Sequence, residues 1–79
     1  MSYRPIVATL VKDLVDNPDQ VNIEEEYEDG TRTFFVHVAQ EDVGKVIGKS
    51  GRVISAVRTV VSALAAREQE RAFVKVPTE

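Results

Sequence analysis

The chain has 79 residues, 43% of them hydrophobic and 29% charged, which is typical of a globular domain with one core. The absence of cysteine excludes disulfides, thiolate nucleophiles and cysteine-ligated zinc, and the single histidine, His37, excludes histidine-rich metal sites. No apolar run is long enough for a signal-peptide core or a membrane span, so the sequence predicts a cytoplasmic protein.

The charge is distributed unevenly along the chain. Residues 1–42 carry three basic and ten acidic side chains, whereas residues 43–58 carry four basic side chains and no acidic one. Such a basic window in a chain of net charge −3 indicates either a local anion site or a chance cluster on a solvated surface. The basic side chains of the window are Lys45, Lys49, Arg52 and Arg58.

The N-terminal segment predicts an amphipathic helix over residues 5–16. Its apolar side chains recur at helical spacing, and Pro5 suits the first turn, where its missing N–H costs no hydrogen bond. Pro18 limits the helix because a residue that precedes proline is pushed out of the α region.

Residues 21–39 predict a β-hairpin. Apolar and acidic side chains alternate over residues 21–27, as in an edge strand whose charge discourages pairing with another chain. Asp29-Gly30 marks the turn. Residues 31–39 then alternate again, which places Phe34 on the same face as Val36.

Residues 40–70 predict a short helix, a glycine-containing loop and a longer helix that runs to about Arg67. Residues 71–77 predict a last strand, because small apolar and larger or charged side chains alternate there. The predicted order is therefore α-β-β-α-α-β.

Two glycines stand three positions apart in the loop Gly48-Lys49-Ser50-Gly51. Each costs about 0.5–1 kcal/mol of helix stability relative to Ala, but glycine permits positive φ and close approach of another backbone. The loop precedes the N-terminus of the long helix, where free N–H groups and the helix dipole attract anions. This pattern predicts either a phosphate-binding loop or a plain corner between two helices.

The segment from Val46 to Ile54 resembles the signature of the KH RNA-binding domain: an apolar pair, GxxG, and an apolar residue three positions further on. The element order is similar to the type II KH arrangement. The whole length resembles the short bacterial single-KH proteins of the KhpA/YlqC type, especially at residues 43–49 and 58–61. This resemblance implies that residues 1–79 form a single KH domain of the α+β class, with a three-stranded mixed sheet and three helices packed on one face.

The resemblance also implies a binding site for single-stranded RNA, because KH loops clamp about four nucleotides of the backbone. Lys45 and Arg52 are expected to add positive charge beside the loop. Val46, Ile47 and Ile54 are expected to support or contact the bases, with a purely structural role in the core as the alternative. The residues expected to contact the sugar-phosphate backbone are Gly48, Lys49, Ser50 and Gly51.

The long helix carries two neighbouring apolar stripes, although one is enough to cover the sheet. Apolar surface that the core does not need commonly marks a contact site, so the sequence predicts a homodimer through this helix. The alternative is a wide core face with exposed alanines. The resemblance implies a heterodimer with a larger Jag-type KH protein as a further use of the same surface. The predicted interface residues are Val53, Ala56, Val60 and Ala63.

Other polar and aromatic residues favour structural roles. His37 has no obvious catalytic partner, and the acidic residues 24–29 are expected to form a solvated edge rather than a metal site. A nucleotide-binding P-loop is excluded because three residues, not four, separate Gly44 from Gly48. Most aromatic side chains are expected in the core and not on a stacking platform: Tyr3, Tyr27, Phe34, Phe35 and Phe73.

The sequence therefore predicts a non-catalytic RNA-binding protein with no cofactor and no catalytic or metal site. The resemblance implies an RNA chaperone or post-transcriptional regulator linked to cell elongation and division. The alternative function is that of a protein-interaction subunit in a larger KH-protein complex, with weak or no RNA binding of its own.

Overall fold

The computed structural model describes residues 3–77 and has the predicted α+β fold, with the elements in the order α-β-β-α-α-β. Within these residues, no helix combines the length and the apolar character needed to cross a membrane. The helices and strands are α1 (Arg4–Leu14), β1 (Asn22–Glu28), β2 (Thr31–His37), α2 (Val43–Ile47), α3 (Arg52–Arg67) and β3 (Arg71–Lys75).

The three strands form one mixed sheet with β2 at its centre. β1 pairs antiparallel with β2, so that Ile23 lies opposite Val36. β3 pairs parallel with β2, so that Phe34 lies opposite Val74. The predicted mixed sheet is confirmed, with β1 and β3 as its two edges.

All three helices pack on one face of the sheet, as predicted. Their apolar faces meet the inward side chains of the strands, and Phe34 at the centre is fully buried. Burial of a side chain of this size stabilises the fold by roughly 1.5–3 kcal/mol. The core consists of Tyr3, Val7, Val11, Ile23, Phe34, Val36, Val46, Ile54, Val57, Val61, Ala65 and Val74.

Helix α1 ends at Leu14, two residues before the predicted end. Val15 is extended, with φ −110° and ψ 161°. The backbone N–H groups of Asp16 and Asn17 then donate to the carboxylate of Asp42, at 3.2 and 3.0 Å. These two donors therefore bond outside the helix, to a side chain from another part of the chain.

The expectation that most aromatic side chains lie in the core is wrong. Tyr3 and Phe34 are buried, but Tyr27 is 56% and Phe73 51% exposed, and Phe35 is half-buried. Phe73 alternates with inward residues on the edge strand β3, so it lies on the face that no helix covers.

A polar cluster around Arg32 closes one end of the sheet. Its guanidinium donates to both carboxylate oxygens of Glu70, at 2.9 and 2.8 Å, and also pairs with Glu25. The hydroxyl of Tyr3 donates to Glu70 at 3.0 Å. Burial and this hydrogen bond raise the pKa of Tyr3 to about 12. Arg32 also packs over the ring of the exposed Tyr27, 4.6 Å from the ring centre.

Candidate functional site

The loop between α2 and α3 is a tight turn built on positive φ angles. Gly48, Ser50 and Gly51 have φ of 79°, 57° and 74°. The N–H of Gly48 donates to the carbonyl of Gly44 at 2.8 Å and ends α2, and the N–H of Gly51 donates to the carbonyl of Gly48 at 3.1 Å. Two glycines are placed where the turn needs this conformation, which other residues adopt at a cost.

The two loop glycines meet different surroundings. A Cβ atom at Gly48 would lie 2.4 Å from Cγ2 and 2.8 Å from the backbone nitrogen of Val53, so a side chain cannot fit there without displacing α3. A Cβ atom at Gly51 would meet nothing within 4 Å. Gly48 therefore permits close packing, whereas Gly51 leaves open space in front of α3.

The start of α3 has the properties of an anion site. Gly51 is its N-cap, and within residues 3–77 no side chain caps this end of the helix. The N–H of Arg52 donates to the carbonyl of Lys49. The next N–H groups in the first turn of a helix lack intrahelical acceptors, and the dipole makes this end partly positive. Lys49 and Arg52 are exposed beside it and form no ion pair with any described residue. A phosphate is the kind of group that this arrangement can bind.

Lys45 differs from these two cations because it is already paired. Its Nζ lies 3.1 Å from Oδ2 of Asp16. The hydrogen bond to Asp16 raises the pKa of Lys45. Lys45 therefore contributes charge beside α2 while it is held against the connection between α1 and β1.

Asp42 holds α2 in place from its N-terminal side. Its buried carboxylate accepts hydrogen bonds from the backbone N–H groups of Asp16 and Asn17, and from Nδ2 of Asn17 at 3.0 Å. Burial raises the pKa of Asp42, but these hydrogen bonds lower it more, so the net pKa lies below the ordinary value. The sequence pattern assigned no role to Asp42, since nothing in it links this residue to residues 16–17.

The apolar residues of the motif lie mainly under the loop. Val46 is fully buried and Ile54 is 6% exposed, so both hold the two helices against the sheet. Ile47 is half-buried and packs against the core. Of the three, Ile47 has the most surface available to a ligand.

A cationic cleft lies along α3, lined by Arg58, Arg71 and Lys75 and by one acidic residue, Glu70, whose carboxylate is bound by Arg32. We use this name for two adjoining clefts between α3 and the free edge of β3, of about 320 and 390 Å³, which share Ser62 and Phe73. Nε of Arg58 donates to the carbonyl of Val74 at 3.3 Å. Arg58 lies six residues after Arg52, about 9 Å further along the helix axis. Sequence reasoning counted Arg58 in the basic window but did not assign it to the site.

An apolar groove lies on the other side of α3, against α1. It has a volume of about 260 Å³, and only Asp13 among its lining residues is charged. The predicted interface residues Val53, Ala56 and Val60 line this groove, and Ala63 is exposed one turn after Val60. Val60 is 43% exposed. Sequence reasoning missed the contribution of α1, which is Leu10 and Leu14.

The β1 edge of the sheet has the opposite charge from the cationic cleft. Glu24, Glu26 and Glu28 are exposed on β1, and Asp29 extends the acidic surface into the turn. Within residues 3–77, no three acidic or histidine side chains are arranged to hold a metal ion. The β1 edge therefore repels a polyanion, which leaves the β3 edge as the favourable side.

Comparisons with known proteins agree with this architecture. The family model described as KhpA/KhpB, KH domain, matches residues 4–76. An RNA-binding protein KhpA from Caldanaerobacter subterraneus subsp. tengcongensis is 45% identical over 71 residues, which cover 90% of this chain and 95% of the relative. RNA-binding protein KhpA from Clostridium acetobutylicum is 41% identical over 73 residues, or 92% of this chain and 97% of the relative.

A more distant relative gives the same picture. RNA-binding protein KhpA from Chlamydia pneumoniae is 37% identical over 76 residues, or 96% of this chain and 97% of the relative. No solved structure gives a significant match. Since the family model and these relatives each cover most of the chain, the chain belongs to the KhpA/KhpB family of KH-domain proteins.

Proposed function

We propose that this protein binds single-stranded RNA and catalyses no reaction. The proposal rests on the start of α3, where a helix end without a side-chain cap, an open space at Gly51 and two exposed cations meet. Gly48, Lys49, Ser50 and Gly51 hold the sugar-phosphate backbone, and Arg52 neutralises a phosphate. The relatives' name, RNA-binding protein, supports this assignment.

The RNA strand runs from the loop into the cationic cleft between α3 and β3. Arg58 offers a third positive charge there, and Ser62 offers a hydroxyl to the backbone or a base. Ile47 contacts a base at the loop end of the cleft, while Val46 and Ile54 support the helices beneath it. Lys45 adds long-range attraction from its pair with Asp16.

The salt dependence of binding tests this proposal. If Lys49, Arg52 and Arg58 each neutralise one phosphate, log affinity falls with log salt with a slope of roughly −2 for a single strand. Fluorescence anisotropy with a labelled single-stranded RNA at several KCl concentrations measures the slope. We expect Lys49→Ala to weaken binding and to reduce the slope by roughly 0.7.

The matched control for this experiment is Lys12→Ala, which removes an exposed lysine from α1, outside both the loop and the cleft. This variant is expected to keep the wild-type slope. Undetectable binding by wild type, or an equal loss in both variants, contradicts the proposed site.

Two copies of the protein associate through the apolar groove between α1 and α3. Support comes from Val60, a large apolar residue of the groove that is 43% exposed, and from the small Ala56, which lets helices approach closely. Pairing joins two RNA sites and raises the affinity for long RNA through effective concentration. A larger Jag-type KH protein occupies the same groove in a heterodimer.

The physiological role that follows is cytoplasmic and post-transcriptional. A site of about four nucleotides carries little sequence information, which suits an RNA chaperone or a regulator of many transcripts. The resemblance extends this role to cell elongation and division. Growth and cell-length measurements in a strain that carries only Gly51→Asp test whether the loop is needed for it.

A second function is favoured by the apolar groove itself: a protein-interaction subunit whose loop binds RNA weakly. An interface made of apolar helix surface responds little to salt, in contrast to phosphate binding. This function is identified by two results together. The protein captures a larger KH protein, and neither salt nor Lys49→Ala weakens the capture, whereas RNA binding is undetectable.

A further inference from the structure

We infer that Phe73 is a base-stacking residue of the RNA site, an assignment that rests on the proposed function. Phe73 is 51% exposed at the free edge of β3, and it lines both parts of the cationic cleft. Its ring is therefore open to a ligand that enters the cleft. Nothing in the core requires Phe73, because the inward positions of β3 are Ala72 and Val74.

The charges around Phe73 select the kind of partner that covers it. Arg71 and Lys75 are exposed on either side of it in β3, and Arg58 reaches Val74 from α3. Cations that surround an aromatic ring form the combination that binds single strands, with phosphates on the cations and a base on the ring. A protein partner with an apolar surface gains nothing from three positive charges that it must desolvate.

The direction of α3 brings an RNA strand from the loop to Phe73. Arg58, in the first half of α3, contacts Val74, and Ser62, one turn later, borders Ala72 and Phe73. A strand held at Gly51 and Arg52 therefore follows α3 towards the N-terminal end of β3. It passes Phe73 where the cleft opens over the sheet edge, and a base can lie flat on the ring there.

Phe35 and Tyr27 also lie outside the core, but neither has the surroundings that Phe73 has. Phe35 lies on the same face of the sheet as Phe73, but it is half-buried and Nζ of Lys75 lies 5.9 Å from its ring centre. Tyr27 is as exposed as Phe73, but Arg32 covers its ring, and acidic residues surround it at the other edge of the sheet. Neither residue lines the cationic cleft.

A single-tryptophan reporter tests the inference, because the chain contains no natural tryptophan. We expect the emission of Phe73→Trp to be quenched saturably by a short single-stranded RNA, with the same dissociation constant that anisotropy gives. Tyr27→Trp is the matched control, exposed to the same degree at the opposite edge, and its emission is expected to stay unchanged.

Affinity measurements provide a second readout. Phe73→Leu keeps an apolar side chain but removes the ring, and we expect it to weaken RNA binding by roughly 5- to 100-fold, as loss of one stacked base does. Phe73→Tyr is expected to bind within about twofold of wild type, because the aromatic face is kept. Because Phe73 is not one of the core residues, the melting temperatures of these variants are expected to be close to that of wild type.

The possible outcomes separate the stacking role of Phe73 from RNA binding by the protein. Binding by wild type without quenching of Phe73→Trp, or with equal quenching of Tyr27→Trp, overturns the stacking role and leaves the proposed function standing. Emission of Phe73→Trp that changes with protein concentration in the absence of RNA assigns the residue to a protein contact and also overturns it. Undetectable RNA binding by wild type removes the proposed function and this inference together.

Discussion

Helix α3 separates two surfaces of opposite chemistry. On one side, the loop and the cationic cleft offer a helix end without a side-chain cap, Arg52 and Arg58. On the other side, the groove against α1 is apolar and carries a single charged residue, Asp13. The first surface suits a polyanion and the second suits another protein, so one helix can serve both without competition between the partners.

Val53 is the point where these two surfaces meet. It lines the apolar groove, and it also fills the space beside Gly48 that a side chain would otherwise occupy. The two surfaces are therefore chemically separate but joined by close packing at one residue. Changes at Val53 are expected to disturb both, whereas changes further along α3 should disturb only one.

The largest expected effect comes from a charge in the apolar groove. Val60→Asp buries an unpaired carboxylate if two copies pair there, so we expect the dimer dissociation constant to rise by about 100-fold or more. Light scattering coupled to size-exclusion chromatography measures the mass. Binding of a short RNA that spans one site should not change, whereas binding of a long RNA should weaken because avidity is lost.

The control for this substitution is Ser62→Asp, which adds the same charge to an exposed position on the cleft side of α3. It is expected to leave the mass unchanged. An unchanged mass in Val60→Asp, or an equal change in Ser62→Asp, contradicts the assignment of the groove.

The next largest expected effect is a loss of stability when the buried carboxylate of Asp42, which holds α2 in place, is changed. Asp42→Asn removes the charge that accepts three hydrogen bonds from Asp16 and Asn17, and one of its atoms becomes a donor facing other donors. We expect the melting temperature to fall by about 10 °C. Thermal unfolding followed by circular dichroism measures it, and Asp19→Asn, at an exposed position nearby, is the control. A melting temperature equal to that of wild type would remove the proposed anchoring role.

Acid should weaken the hydrogen bonds to the carboxylates of Asp42 and Glu70 in the wild-type protein. The net pKa of Asp42 is lowered by its hydrogen bonds against the opposing effect of burial, and that of Glu70 is lowered first by Arg32. Because both pKa values are lower in the folded state, the stability that these groups contribute is present above about pH 4 and is lost as the pH falls below it. Melting temperatures from pH 7 to pH 2.5 should fall less steeply for Asp42→Asn than for wild type, and parallel curves would contradict this.

The smallest expected effect concerns the acidic β1 edge. Glu26→Lys combined with Glu28→Lys removes repulsion far from the cationic cleft, so we expect RNA affinity to rise about two- to threefold at low salt and to return to the wild-type value at high salt. The matched variant Glu26→Gln/Glu28→Gln removes the two charges without reversing them, so its rise in RNA affinity should be smaller. Anisotropy at two salt concentrations measures both variants, and a rise that persists at high salt would indicate a new direct contact.

Much of this architecture could be predicted from local sequence pattern. The helical spacing of apolar residues in residues 5–15 and the strand alternation around Phe34 are visible within short stretches of sequence, and each indicates which face of its element is buried. The long helix and the two-glycine turn were predicted for the same reason, since Gly48 and Gly51 adopt backbone angles that favour glycine. What the pattern could not provide were contacts between distant segments.

Asp42 and Phe73 illustrate that limit. The role of Asp42 depends on residues more than twenty positions away, and no periodicity records such a pairing. Phe73 was expected in the core because large aromatic residues usually are, but its strand is an edge whose outer face no helix covers. Lys45 was expected to add positive charge beside the loop, and its pairing with Asp16 is another contact between distant segments that the pattern does not record.

The measurement that most directly tests RNA binding at the loop compares Gly51→Asp with Gly51→Asn. Both side chains have the same shape, both tolerate positive φ better than most residues, and neither would meet an atom within 4 Å. Only Asp places a negative charge where we propose that a phosphate is held. With folding of both variants checked by circular dichroism, we expect Asp to weaken RNA binding by about tenfold or more and Asn to bind within about twofold of wild type. Equal affinities for the two variants would contradict phosphate binding at the start of α3.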